Sequence, residues 1–358
     1  MSFLLAFLGF AALIILHELG HFTAAKAVGM RVDRFSLFFP PLLARRKRGE
    51  TEYAIGAIPL GGYVKITGMN PHEEIPPDVA HRAYFRQPVW KRIVVIGAGP
   101  AVNIVLAFLI LWVLIWANGV RDTTNKVAKV TDLPAVGTLA PGDRIVAVDG
   151  IRSTDFDTLK KQIVSHKCAG EQKDGCEAAT PAKITVRLRG EERTEVVKPI
   201  YNAELNDMLV GFQAGLTPPQ PIGPVDAAGR SVSEMWFFTT KTVDTIANIF
   251  DAEQRKQVSG VVGSYEVTRQ TIELSLERAV YLLAIISLSL GVINLFPFLP
   301  LDGGHIFWAL AEKVRGRAIP FSVMERAGFI GFVLVIALFM VGFTNDIGRL
   351  TGEGFGVR

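Results

Sequence analysis

Cysteine is close to absent from this chain: its 358 residues include two, Cys168 and Cys176. With His166 as the one nearby imidazole, a zinc site built on that pair is not expected. The spacing fits either a short disulfide loop in an oxidising compartment or two free thiols. Internal repeats and low-complexity tracts are also lacking, which excludes a solenoid. The opening apolar run, Met1 to Leu16, has no basic residue ahead of it and no small-x-small cleavage site behind it. It therefore reads as a retained helix and not as a signal peptide. Neither sign of charge dominates, since 38 Lys and Arg stand against 34 Asp and Glu. The net charge of +4 gives no reason to invoke nucleic acid, because the basic positions suffice as topology signals.

What is abundant is apolar surface. Hydrophobic residues make up 49% of the chain and fall in blocks. Four blocks are long and uncharged enough to span a bilayer, at about residues 2–22, 93–117, 280–299 and 327–344. Between the first two lie Arg45, Arg46, Lys47, Arg48, Arg82, Arg86, Lys91 and Arg92; between the last two lie Lys313, Arg315, Arg317 and Arg326. Basic loops face the cytoplasm, so both termini and residues 118–279 are expected on the other side, the periplasm of a bacterial inner membrane.

The chain divides accordingly into an N-terminal membrane part (1–117), a soluble domain (118–216), a stretch of amphipathic helices (217–279) and a C-terminal membrane part (280–358). Within the first, residues 31–68 are rich in Tyr, Val and Ile and carry a Gly61-Gly62 break, which predicts hairpin strands at the cytoplasmic face. Backbone of that kind is tolerated at membrane depth only where protein or a water-filled cavity covers it. Residues 70–92, with four prolines, form a polar connector. The second block opens Gly97-Ala98-Gly99-Pro100-Ala101-Val102-Asn103, small residues that permit close helix approach; Asn103 is read as a packing residue. In the soluble domain, Ala140 to Gly150 predicts a turn, a strand and a second turn, followed by a helix near Asp155–Ser165 and strands at 184–188 and 195–197. That order resembles a PDZ domain, whose edge strand and helix capture extended peptides or free C-termini. Residues 222–279 have helical spacing broken at Ser259 to Gly263, as amphipathic helices do.

One short motif carries the chemistry. In His17-Glu18-Leu19-Gly20-His21 the two imidazoles, four residues apart, share a helix face and can hold one zinc ion, with Glu18 as general base. A catalytic zinc site needs a third protein ligand and an open position. Asp302, in Asn294-Leu295-Phe296-Pro297-Phe298-Leu299-Pro300-Leu301-Asp302-Gly303-Gly304-His305, is the best candidate. A helix from Met1 to His17 rises roughly 24 Å through a hydrocarbon core of about 30 Å, and the third span ends near Pro297 on the same side, so the two motifs meet in depth. An ionisable group there is expensive unless paired or functional. His305 is the rival ligand, but Gly303 and Gly304 are expected to form a turn that points it elsewhere.

These motifs, with the PDZ-like region, resemble the site-2 protease family of intramembrane zinc metalloproteases, in its bacterial RseP-like form, over nearly the whole chain. The resemblance implies a polytopic α-helical membrane protein of about four transmembrane helices, with a membrane-associated β element and a periplasmic PDZ-like α+β domain. It implies Zn2+ held by His17, His21 and Asp302 near the cytoplasmic side, Glu18 as catalytic base, and Asn294 holding substrate or the developing oxyanion. The strands around Glu52–Lys65 would pair with an unwound substrate. The implied partners are the lipid bilayer, transmembrane substrates such as anti-sigma factors after a first periplasmic cut, signal-peptide remnants, and peptide C-termini at the PDZ-like domain. Two tandem PDZ domains mark the type protein, and here there is room for one. The competing expectation is a non-proteolytic membrane scaffold or chaperone with a peptide-binding PDZ domain and structural zinc; an intact Glu18 argues against it. A third is a zinc hydrolase acting on lipids or soluble peptides at the membrane face.

Overall fold

The computed structural model describes residues 1–70, 73–131, 134–202, 207–249, 255, 258–352, 354 and 355. Two compact units emerge, one from Met1–Ile115, Pro224–Phe250 and Val258–Arg358, the other chiefly from Trp116–Gly223.

The first unit contains the apolar helices. Among the described residues four helices are long and apolar enough to cross a membrane: α1 (Ser2–Ala27), α2 (Val89–Asn118), α6 (Leu276–Asn294) and, from Ser322, α8 (Phe321–Thr351). α1 runs without a proline until Gly29, whose φ of +83° ends it in a conformation that favours glycine. α2 carries Pro100 inside it, next to the small residues that bring it close to α1. The third span stops at Asn294, five residues short of the expected end, because Leu295 to Leu301 turns around Pro297 and Pro300 before α7 (Asp302–Arg315) begins. Residues 222–279 yield α4 (Pro224–Ala247) and α5 (Val261–Leu274). α8 caps α5: Asp346, fully buried, accepts hydrogen bonds from the backbone N–H of Gly260 (3.0 Å) and Gly263 (2.7 Å).

The region expected as hairpin strands is β1 (Val32–Arg48) and β2 (Thr51–Ile66), antiparallel and joined at Gly49 and Glu50. The hairpin is folded on itself. Leu42 to Arg48 pairs with Thr51 to Gly56, while Arg34 to Leu37 lies between Glu52–Ile55 on one side and Gly62–Lys65 on the other. Four adjacent segments result, with Leu42–Arg48 and Gly62–Ile66 at the two edges. One expectation changes here. Gly61-Gly62 is no break but strand, and its glycines serve close approach: a Cβ on Gly61 would meet the Phe39 ring and one on Gly62 would meet Glu18. The basic run Arg45 to Arg48 lies in the first strand of the hairpin.

The second unit is built on a sheet of order β10-β3-β4-β6-β7, from β3 (Thr123–Val130), β4 (Arg144–Val148), β6 (Ala182–Leu188), β7 (Glu191–Val197) and β10 (Phe212–Leu216), with β5 (Ile151–Arg152) paired to β4. β8 (Ile200–Asn202) and β9 (Asp207–Leu209) form a separate pair. α3 (Phe156–Val164), capped by Asp155 through Asp157 N and Thr158 N, adds Leu159 and Ile163 to a core of Val127, Ile145, Val148, Ile184 and Val186. Cys168 and Cys176 are joined in a disulfide, which decides between the two readings of that pair.

Candidate metal centre

α1 is a continuous helix, apolar from Phe3 to Leu16, so the motif His17 to His21 lies on a rigid rod with both imidazoles on one face and both buried. α7 presents Asp302 as its first residue. The helix starts there because Gly303 and Gly304 let its first turn lie against the backbone of Leu295 to Leu299; a Cβ on Gly303 would collide with the Leu295 carbonyl and one on Gly304 with the backbone of Phe298 and Leu299. Those two glycines are helical, not the turn expected from sequence.

Three donor atoms converge. His17 Nε2 and His21 Nε2 are 3.2 Å apart, and each lies 3.3 Å from Asp302 Oδ2. Among the described residues these three form the one group of His, Cys, Asp and Glu close enough to share an ion. The triangle fits zinc: tetrahedral bonds of about 2.0–2.1 Å separate the donor atoms by roughly 3.3 Å. Asp302 Oδ2 is moreover buried with no hydrogen-bond partner, a position that a cation would satisfy. His305, three residues along α7, is outside the group.

The far side of each imidazole is also held. His21 Nδ1 lies 2.9 Å from the carbonyl oxygen of Val95, so Nδ1 carries the proton and donates it, leaving the Nε2 lone pair for an ion. His17 Nδ1 lies 3.2 Å from the side-chain amide of Asn103, which is completely buried and whose backbone carbonyl accepts from Ser287 Oγ (3.0 Å). Asn103 Oδ1 has no partner with the amide drawn this way round. Turning the amide about its last bond sets Oδ1 against Nδ1–H and gives His17 the same ligand tautomer as His21. Sequence reading assigned Asn103 to packing. The available signal was a polar residue inside an apolar span, which does not say what it meets.

Helix α2 approaches closely enough to do this because of glycine. A Cβ on Gly99 would fall on the His21 imidazole, and one on Gly20 would come 2.6 Å from the Ala98 carbonyl oxygen. Arg92 of α2, almost wholly buried, grips both carboxylate oxygens of Glu312 (2.6 and 3.0 Å) and so ties α7 to α2 behind Asp302. Glu18 follows His17 directly, within electrostatic reach of both imidazoles and Asp302, and its side chain packs against Gly62 in the edge segment of β2. Asn294 lies at the last residue of α6, where its Nδ2 donates to Leu290 O (3.0 Å) on its own helix.

The description Peptidase family M50 matches this chain over residues 5–338. Similar proteins include one from Clostridium perfringens (strain 13 / Type A), named as a zinc metalloprotease, 31% identical with 97% of this chain and 98% of the relative covered. Another so named, from Rhizobium meliloti (strain 1021), is 29% identical over 95% and 94% of the two chains. The Regulator of sigma-E protease RseP of Escherichia coli (strain K12) is 28% identical over 94% and 96%.

Proposed function

The chain belongs to peptidase family M50 and is a zinc metalloprotease with four helices able to span a membrane, and from that premise we propose that it hydrolyses peptide bonds within the transmembrane segments of other proteins. The observation that carries the proposal is the triangle of His17, His21 and Asp302 donor atoms on helices of membrane-spanning composition, with Glu18 adjoining it.

His17, His21 and Asp302 would hold the zinc, which when bound supplies Lewis acidity towards a water molecule and a carbonyl oxygen. Asn103 and the Val95 carbonyl keep the two rings in the ligand tautomer. Glu18 takes the proton from the attacking water and delivers it to the leaving amide nitrogen. A helical substrate hides its carbonyls in its own hydrogen bonds, so it must be extended before it can be cut. The edge segment Gly62–Ile66 offers unpaired backbone beside Glu18 on which such a strand can add. Asn294, released from the Leu290 carbonyl, would hold the substrate backbone or the developing oxyanion.

In the second unit, β10 is an edge strand flanking α3, with the Phe156 and Phe212 rings 6.2 Å apart. This supports a PDZ-like site for extended peptides or new C-termini. The alignment with RseP runs over 437 positions against the 358 residues of this chain, which is in keeping with one such domain where the longer relative has room for two. The full reading is a multi-pass protein of a bacterial inner membrane, with the second unit periplasmic and the metal centre nearer the cytoplasm. It acts on anti-sigma-factor-like proteins after a first periplasmic cut and on signal-peptide remnants. The test uses purified protein and a reporter transmembrane substrate. Glu18→Gln retains zinc and loses cleavage; undiminished cleavage by that variant would overturn the assignment.

A further inference from the structure

Along β1 the chemistry changes abruptly. Phe39, Pro40, Pro41, Leu42 and Leu43 are followed, after Ala44, by Arg45, Arg46, Lys47 and Arg48. The adjoining strand agrees in register: Phe39 pairs with Ile58 and Ala44 with Ile55 at the apolar end, while Lys47 pairs with Glu52 and Arg48 with Thr51 at the basic end. At the apolar end Leu43 is 72% exposed, and Ile55 and Ile58 are more than two-fifths exposed. A strand rises about 3.3 Å per residue, so Arg45 to Arg48 cover roughly 10 Å. That length is enough to cross the polar layer of a bilayer, roughly 5–8 Å on each side of the hydrocarbon.

The carboxylates that could neutralise these cations are engaged elsewhere. Glu50 is held by Arg82 (2.6 Å) and Lys26, and Glu52 by Arg34 (2.6 Å). Arg45 reaches Glu52 only at 3.9 Å, and among the described residues Arg46, Lys47 and Arg48 make no ion pair. The segment is also an edge, paired on one side to Thr51–Gly56 and open on the other, so backbone N–H groups are available beside the cations.

We propose that Leu42–Arg48 is a binding edge for anionic phospholipid headgroups, with Leu43 and its apolar neighbours in the acyl region and the four cations on the phosphates. An acidic protein or a nucleic acid would account for the cations but leave the exposed apolar end of the same strands without an environment. The bound lipid fixes the depth of the β element and, through Gly62, of the strand packed on Glu18. The proposal holds whether or not the metal centre is proteolytic.

The test is hydrogen exchange of the full chain in nanodiscs of phosphatidylcholine with and without phosphatidylglycerol. The anionic lipid should slow exchange across residues 42–48 roughly fivefold or more, an effect that high salt removes. Replacing Arg45, Arg46, Lys47 and Arg48 together by Gln should abolish the slowing, and replacing the three arginines by Lys should preserve it. Equal exchange of the unaltered protein in both lipids would overturn the proposal even if the Gln variant fails to insert. So would equal slowing by inorganic phosphate in phosphatidylcholine, which would mark a site for the free anion.

Discussion

His17 Nε2 and Asp302 Oδ2 lie 3.3 Å apart, although one belongs to the first helix of the chain and the other opens a helix near its end. Neither is a ligand set without the other. Asp302→Ala should lower zinc affinity by more than about a hundredfold, beyond the 10–100-fold loss seen for residues that merely support a ligand. Zinc content after dialysis against a weak chelator checks this, and full retention would remove Asp302 from the centre.

Asn103 separates two orientations of one amide. If His17 Nδ1 donates, Asn103→Asp keeps an acceptor and keeps zinc, whereas Asn103→Leu loses about 10–100-fold in affinity. If Nδ1 accepts instead, both variants lose it. Zinc titration followed by spectroscopy of a cobalt-substituted protein reads the ligand field without relying on turnover.

Gly99 and Gly97 lie two residues apart and should respond differently. Alanine at 99 would press on the His21 ring, while at 97 the nearest atom is Ile306 Cδ1 at an ordinary 3.8 Å. Gly99→Ala should therefore destabilise by about 1–3 kcal/mol and reduce zinc content. Gly97→Ala should do neither. Thermal midpoints and metal analysis of the two variants decide it.

Glu50, outside the spans, is held down to about 2 by hydrogen bonds from Arg82 and Lys26. Because the folded value lies below the ordinary carboxylate value, the contribution to stability is present at neutral pH and is lost as pH falls from about 4.5 towards 2. The side chains are part-exposed, so about 1 kcal/mol is expected and not the full linkage value. Denaturation in detergent should show Glu50→Gln less stable at pH 7, with the difference vanishing near the acid end.

How much was legible in the residues follows the range of each interaction. His17, Glu18 and His21 declare themselves because helix geometry alone brings them together. Asp302 could be inferred from depth, since two spans of known direction end on the same side and a carboxylate there needs a partner. Asn103 could not, because its partner is set by which face of α2 meets α1, and an amide in an apolar span suits packing or ligand support equally. The glycines misled for a related reason. In sequence Gly61-Gly62 looks like a break and Gly303-Gly304 like a turn, but they are spaces that other chain segments occupy, and that is a tertiary fact. The disulfide, left open by spacing, needed the loop pairing of Cys168 with Ala178 and of Glu177 with Ile200 that brings Cys168 and Cys176 together.

The distance in sequence between the paired imidazoles and their carboxylate has a temporal meaning. A ribosome delivers His17 and His21 early and Asp302 only when most of the protein has been made and inserted. A truncated or stalled product has the paired imidazoles without that carboxylate, so the three-residue cluster is complete only in nearly full-length copies.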